Sequence, residues 1–172
     1  MALLCLNFWA GAQPQERLII GDKVPNVIFS TVLNYKDSTI QLSQLRGKAV
    51  ILDFWATYCT ACLKEFPKMD SLQRQYAKNL QIILMDAYTK DTKAVLQAFL
   101  KERLRADSGF SMPLVQHSEA IKGVFPIKSM PHYIWVGADG RIKAITRADQ
   151  VKPANIERLI AGLSLNLKLK KD

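Results

Sequence analysis

The amino-acid sequence predicts an α/β fold: a three-layer sandwich whose mixed central sheet carries helices on both faces, with a β-hairpin extension at the N-terminal end. Three observations predict it. Ala49 to Trp55 and Gln81 to Ala87 are short, nearly continuous apolar runs of the kind buried on both faces of a sheet, and a helical pattern separates them. Alternation of that kind implies a parallel core. Later, Ala138-Asp139-Gly140 joins two further strand patterns as a hairpin, so the sheet also gains antiparallel members. The chain has 172 residues, of which 49% are hydrophobic and 23% charged. That is the length of one domain and an ordinary globular composition, which excludes wholesale disorder and collagen-like repeats.

The first twelve residues carry no charge; Leu3, Leu4, Leu6, Phe8 and Trp9 make them apolar, and Ala10-Gly11-Ala12 has the small-residue pattern of a signal-peptidase site. The run falls short of the about 20 residues that span a bilayer. Residues 1–12 are expected to be a signal peptide, truncated because no Lys or Arg precedes the apolar run, and Cys5 leaves with it. The chain is then extracytoplasmic, in the periplasm, or tethered to a membrane if the segment is not cleaved. Residues 13–24 read as a linker with Pro14 and Gly21 as breakers, residues 25–164 as the folded domain, and residues 165–172 as a basic tail.

Within the domain, Val27 to Leu33 reads as a strand, Asn34 to Ser38 as a turn, and Ile40 to Leu42 as a short returning strand. Leu45-Arg46-Gly47-Lys48 turns the chain into the first buried strand. A helix is expected from Cys59 to Ala77, since Leu63, Phe66, Met69, Leu72 and Tyr76 recur at helical spacing, with a kink at Pro67. After the second buried strand, Asp91 is expected to cap a helix running to Arg103 with Val95, Leu96, Phe99 and Leu100 inward. A strand at Leu114-Val115 and a short helix from Ser118 to Val124 follow. His132 to Val136 and Ile142 to Ile145 are the hairpin strands. Pro153 suits the first turn of a closing helix whose inward face is Ile156, Leu159, Ile160 and Leu163. No internal repeat or low-complexity tract is present.

The net charge is +9, from 24 Lys and Arg against 15 Asp and Glu. More than half of that excess lies from Arg141 onward, and no basic run is interleaved with aromatics as a base-stacking platform requires. A solvated basic face explains the charge, and no nucleic-acid partner is expected. Three cysteines are too few for a disulfide scaffold.

The chemistry centres on Cys59-Thr60-Ala61-Cys62, which follows a buried strand and opens a helix. At a helix N-terminus the unpaired N–H groups and the macrodipole favour an anion, so the Cys59 thiol is expected to ionise readily. Cys62 lies one turn further in, less exposed and within disulfide reach. Cys59 is the candidate nucleophile on a substrate disulfide and Cys62 the resolving thiol. A zinc site would need a second ligand pair, and His117 and His132 lack the spacing; haem attachment would need His where Leu63 stands. A plain structural disulfide remains the bland alternative.

The segment Asp53-Phe54-Trp55-Ala56-Thr57-Tyr58-Cys59-Thr60-Ala61-Cys62 resembles the thioredoxin active site, Pro67 matches the kink proline of its helix, and Ser129-Met130-Pro131 matches the segment bearing its cis-proline. Within that superfamily the chain is similar to the TlpA/ResA-like extracytoplasmic thiol-disulfide oxidoreductases. The N-terminal hairpin, the Leu42-Ser43-Gln44-Leu45-Arg46-Gly47-Lys48 lead-in and the extra segment between Asp91 and Leu114 carry that likeness. Thr60-Ala61 departs from the Gly-Pro and Glu-Pro dipeptides common in such sites.

The resemblance implies a thioredoxin-like fold and a thiol-disulfide oxidoreductase, a reductase rather than an oxidant. It implies no cofactor beyond the Cys59–Cys62 pair, disulfide-containing protein clients such as cysteine pairs awaiting haem, and an upstream thiol donor, for instance a membrane protein, with the chain a monomer. It makes Asp53 and Glu65 the catalytic acids that serve Cys62, each with a pKa that an apolar site would raise. It places Trp55, Met130 and Pro131 at the client, with Trp55 covering one side of the cysteine pair and the Met130 backbone pairing with an extended client segment. Tyr58 stands where a second tryptophan is common, and His132 replaces a common threonine. Two other functions compete. A peroxiredoxin-type thiol peroxidase needs a threonine where Ala56 stands, and a metal-delivery module needs a wider cysteine spacing.

Overall fold

The computed structural model describes residues 18–125 and 127–171. The expected signal peptide at 1–12, Cys5 and the first part of the linker lie outside the described residues.

Four strands of the main sheet come from apolar sequence that has no exposed face to satisfy. β1 (Ile28–Phe29), β2 (Val32–Leu33) and β3 (Ile40–Gln41) precede β4 (Ala49–Trp55), all seven of whose residues are buried. Helix α1 (Thr60–Tyr76), β5 (Leu80–Asp86), α2 (Lys93–Ala106), β6 (Leu114–Val115) and α3 (Glu119–Val124) follow. β7 (His132–Val136), β8 (Ile142–Thr146) and α4 (Pro153–Ile160) complete the order. The six-stranded sheet runs β2-β6-β5-β4-β7-β8, parallel across β6-β5-β4 and antiparallel elsewhere. This is the thioredoxin-like α/β sandwich with a mixed sheet.

Alternation along β4 divides the core. Ala49, Ile51 and Trp55 face one side with Cys62, Phe66 and Met69 of α1, Leu96 of α2 and Ile156 and Leu159 of α4. Val50, Leu52 and Phe54 face the other, with Phe29 and Ile40 of the hairpin and Ile121 and Val124 of α3. Helices therefore cover both faces.

The N-terminal hairpin is built differently from the single strand expected over Val27 to Leu33. Thr31 takes a φ of 56°, rare for a β-branched residue, and there the run breaks in two. β1 pairs with β3 as a separate ribbon, while β2 joins the main sheet beside β6. Three further expectations need correction. Thr92, not Asp91, caps α2, its hydroxyl accepting from Val95 N–H at 3.3 Å. Val95 is exposed, while Leu96, Phe99 and Leu100 face inward with Leu104. α4 ends at Ile160 because Gly162 adopts a φ of +67°, which leaves Leu163 outside the helix and exposed.

The segments flanking the domain are laid against it. Residues 21–24 pair with the start of β8: Gly21 N–H donates to Ile142 O at 2.8 Å, Ile142 N–H to Asp22 O at 2.9 Å, and Lys23 bridges Arg141. The basic C-terminal segment returns to the other end of β8, where Leu169 bridges Thr146.

Candidate active site

β4 delivers the chain to the site from the centre of the sheet, and the turn Ala56 to Tyr58 swings it into α1. Asp91 is nearly fully buried and braces that turn, accepting from Thr57 N–H at 3.0 Å and from its hydroxyl at 2.7 Å. The residue expected to cap a helix thus holds the loop that presents the cysteines.

Cys59 is the N-cap of α1, its sulfur accepting from Cys62 N–H at 3.3 Å. The two cysteines form a disulfide with an S–S distance of 2.03 Å. Cys59 is half-buried and Cys62 fully buried. The Met130–Pro131 peptide is cis, and Met130 packs against the same apolar cluster as Cys59.

Asp53 is the fifth of the seven residues of β4, on the face that α1 and Cys62 cover, and has no solvent exposure. Among the described residues neither of its oxygens has a hydrogen-bond partner in standard geometry. Tyr133 is its cross-strand neighbour on β7, with a buried hydroxyl close enough to lower the carboxyl pKa but not to form an ordinary bond. Burial dominates and pushes the Asp53 pKa up to about 8; the Glu65 charge adds to the rise, while Tyr133 and Lys68 oppose it. Burial likewise holds the Tyr133 hydroxyl in its neutral form, reinforced by the negative charge of Asp53 and Glu65.

Glu65 sits on α1, partly exposed and ion-paired with Lys68. Its charge reaches Asp53, which makes it an electrostatic neighbour of that carboxyl. Two shifts follow. Tyr133→Phe removes a stabiliser of the carboxylate, so the Asp53 pKa rises further; Glu65→Gln removes a like charge, so it falls. Carboxyl carbon chemical shifts followed against pH check both directions, and movement in the same direction in both variants would contradict this placement.

Trp55 departs from the expectation of a client-facing residue. It is fully buried, with its ring 5.1 Å from Phe66 and 4.8 Å from Phe99, and presents no surface to a partner. Its place on the inward side of β4 explains this. The exposed aromatic beside Cys59 is Tyr58, set edge-on against Tyr88 at 4.7 Å.

Two features escaped the sequence. Tyr133 reads as one more apolar strand residue until the register sets it opposite Asp53. Asp86 ends β5 with no exposure, accepting from Tyr88 N–H at 3.0 Å and His117 N–H at 3.2 Å. Burial raises its pKa to about 7. With His117, Lys128, Ser129 and Met130 it lines a cavity of about 200 Å³ beside the cis-proline turn. The available signal was an acid closing an otherwise apolar strand.

Comparison with known proteins agrees with this geometry. Residues 20–145 match the AhpC/TSA family. The chain is 31% identical over 141 residues to the thiol-disulfide oxidoreductase ResA of Bacillus thuringiensis subsp. konkukian (strain 97-27), covering 80% of this chain and 75% of that one. It is 32% identical over 130 residues to ResA of Oceanobacillus iheyensis, covering 74% and 65%. Its fold is shared with a crystal structure described as a putative thiol:disulfide interchange protein DsbE from Chlorobium tepidum, at 24% identity and a TM-score of 0.58 over 83% of this chain and 93% of that one. These relatives do not favour the peroxidase alternative, and Ala56 stands where that chemistry needs threonine. With a CxxC pair bonded at the head of α1 in a thioredoxin-like fold, the chain belongs to the AhpC/TSA family and is a thiol-disulfide oxidoreductase of the ResA kind.

Proposed function

We propose that the protein reduces disulfides in protein clients outside the cytoplasm, with Cys59–Cys62 as its redox group and no cofactor. The observation that carries this is the half-buried Cys59 at the head of α1, bonded to a fully buried Cys62. In the reduced protein the Cys59 thiolate attacks one client sulfur. The client S–S bond breaks as the mixed disulfide forms, and the leaving thiolate takes a proton from water. Cys62 then gives its proton to Asp53 and attacks the Cys59 sulfur, closing the intramolecular disulfide and releasing the second client thiolate. Two electrons pass to the client, and an upstream thiol donor restores the dithiol by the same exchange in reverse.

Asp53 suits that role because a group with a pKa near the working pH can both accept and return a proton. Glu65 acts through it, by raising its pKa. Met130 offers its backbone to an extended client segment next to Pro131, and the neighbouring cavity at Asp86 and His117 gives client side chains somewhere to lodge. Trp55 supports the cysteines from within the core. The apolar, uncharged start of the sequence supports the extracytoplasmic, periplasmic setting. No helix among the described residues is long and apolar enough to cross a membrane. The protein works as a monomer, and the basic face needs no nucleic acid to explain it. The reductase direction rests on the resemblance to TlpA/ResA-like proteins.

Titration against thiol buffers tests it. The expected potential is at or below about −250 mV, with thioredoxin-like reductants. A value of about −120 to −180 mV would place the protein among oxidants and isomerases and reverse the direction.

A further inference from the structure

The chain does not leave the domain after α4. Leu165 and Leu167 pack against the apolar core, and Lys168 N–H donates to Gln150 Oε1 at 3.2 Å. Leu169 bridges Thr146, and Lys170 N–H donates to Ile145 O at 2.9 Å. This short strand addition carries the Lys170 side chain from the border of β8 onto the cis-proline turn. Its ammonium donates to Ser129 O at 2.5 Å and to Pro131 O at 3.3 Å, and lies 3.1 Å from His132 Nδ1.

Those two carbonyls flank Met130. Ser129 C=O and Met130 N–H belong to one planar trans peptide and point in opposite directions, so fixing the oxygen fixes where the N–H points. A cation on the oxygen also polarises the peptide and strengthens the N–H as a donor.

We propose that Lys170 is a positioning residue for client recognition: delivered by the C-terminal segment, it holds the Ser129–Met130 peptide so that Met130 presents its N–H to the client backbone. This rests on the reading that Met130 pairs with the client. Lys170 is assigned no part in the exchange itself.

The test compares two disulfides. Insulin offers a peptide backbone to Met130, whereas 5,5′-dithiobis(2-nitrobenzoate) offers none. In Lys170→Met the KM for insulin rises about five- to tenfold, the loss expected for one well-made hydrogen bond. Its kcat, and the rate with the small disulfide, stay at the wild-type level. Lys170→Arg, which keeps the charge, recovers part of the loss. Unchanged insulin kinetics in Lys170→Met would overturn the proposal while leaving the client reading intact. An equal fall with both disulfides would overturn it in favour of a purely structural contact. A wild-type protein that reduces the small disulfide but not insulin would overturn the client reading and this proposal with it.

Discussion

Asp53→Asn makes the protein more stable and a slower enzyme. The stability gain follows from where the carboxyl sits. Its pKa rises from an ordinary 3.8 to about 8 in the fold, so the folded state binds the proton more tightly than the unfolded chain. The contribution of Asp53 to stability is therefore full below the unfolded value and drains away as pH climbs toward about 8. Asn has the same shape and no proton to lose. The two proteins should melt alike near pH 4 and diverge steadily above it, the variant leading by on the order of 4 kcal/mol at pH 7. Urea denaturation at several pH values reads this directly, and a gap that does not widen with pH would refute the buried, unpaired carboxyl. The same substitution removes the proposed proton acceptor of Cys62. Release of a trapped client should slow by about 100-fold, and the rise in rate with pH through the Asp53 pKa should disappear. Faster unfolding with unchanged exchange would argue the reverse, that Asp53 is structural alone.

The two cysteine variants should differ in kind. Cys59→Ser loses disulfide exchange altogether, because the remaining thiol of the pair is fully buried on the inner face of α1. Cys62→Ser still attacks, through a half-buried sulfur at the end of a helix that favours a thiolate, and then stalls. A covalent client adduct should accumulate in Cys62→Ser and be absent in Cys59→Ser. Mass spectrometry of the protein mixed with oxidised insulin distinguishes them. Adducts on Cys62 in the Cys59→Ser variant would exchange the two assigned roles.

What could be read from the sequence follows the reach of the interactions. β4 and β5 were legible because strands buried on both faces leave no room for polar residues, and α1 because its apolar spacing is long and regular. The cysteine pair was legible because four consecutive residues define its local geometry. Asp53 stood out as a charge inside an apolar run, and the resemblance added Glu65, though only the fold supplies Tyr133 and Lys68 around it. Asp91 was misassigned because Thr92, next to it, offers the same capping chemistry, and the choice is made by Thr57, thirty-four residues earlier. The resemblance set Trp55 against the client, but its place at the end of a strand buried on both faces keeps its ring in the core. Lys170 was one basic residue among several, and nothing local marks it as the one that meets the cis-proline turn.

The two segments read from sequence as lying outside the domain seal the same border. β8 would otherwise present a free row of N–H and C=O groups, the template through which identical domains zip together into aggregates. Residues 21–24 occupy one end of that row and Leu169 with Lys170 the other, while the opposite border, β2, is only two residues long. If clients pair with the Met130 backbone as proposed, the protein thereby offers them little other backbone to grip. Its own copies are denied the same handhold.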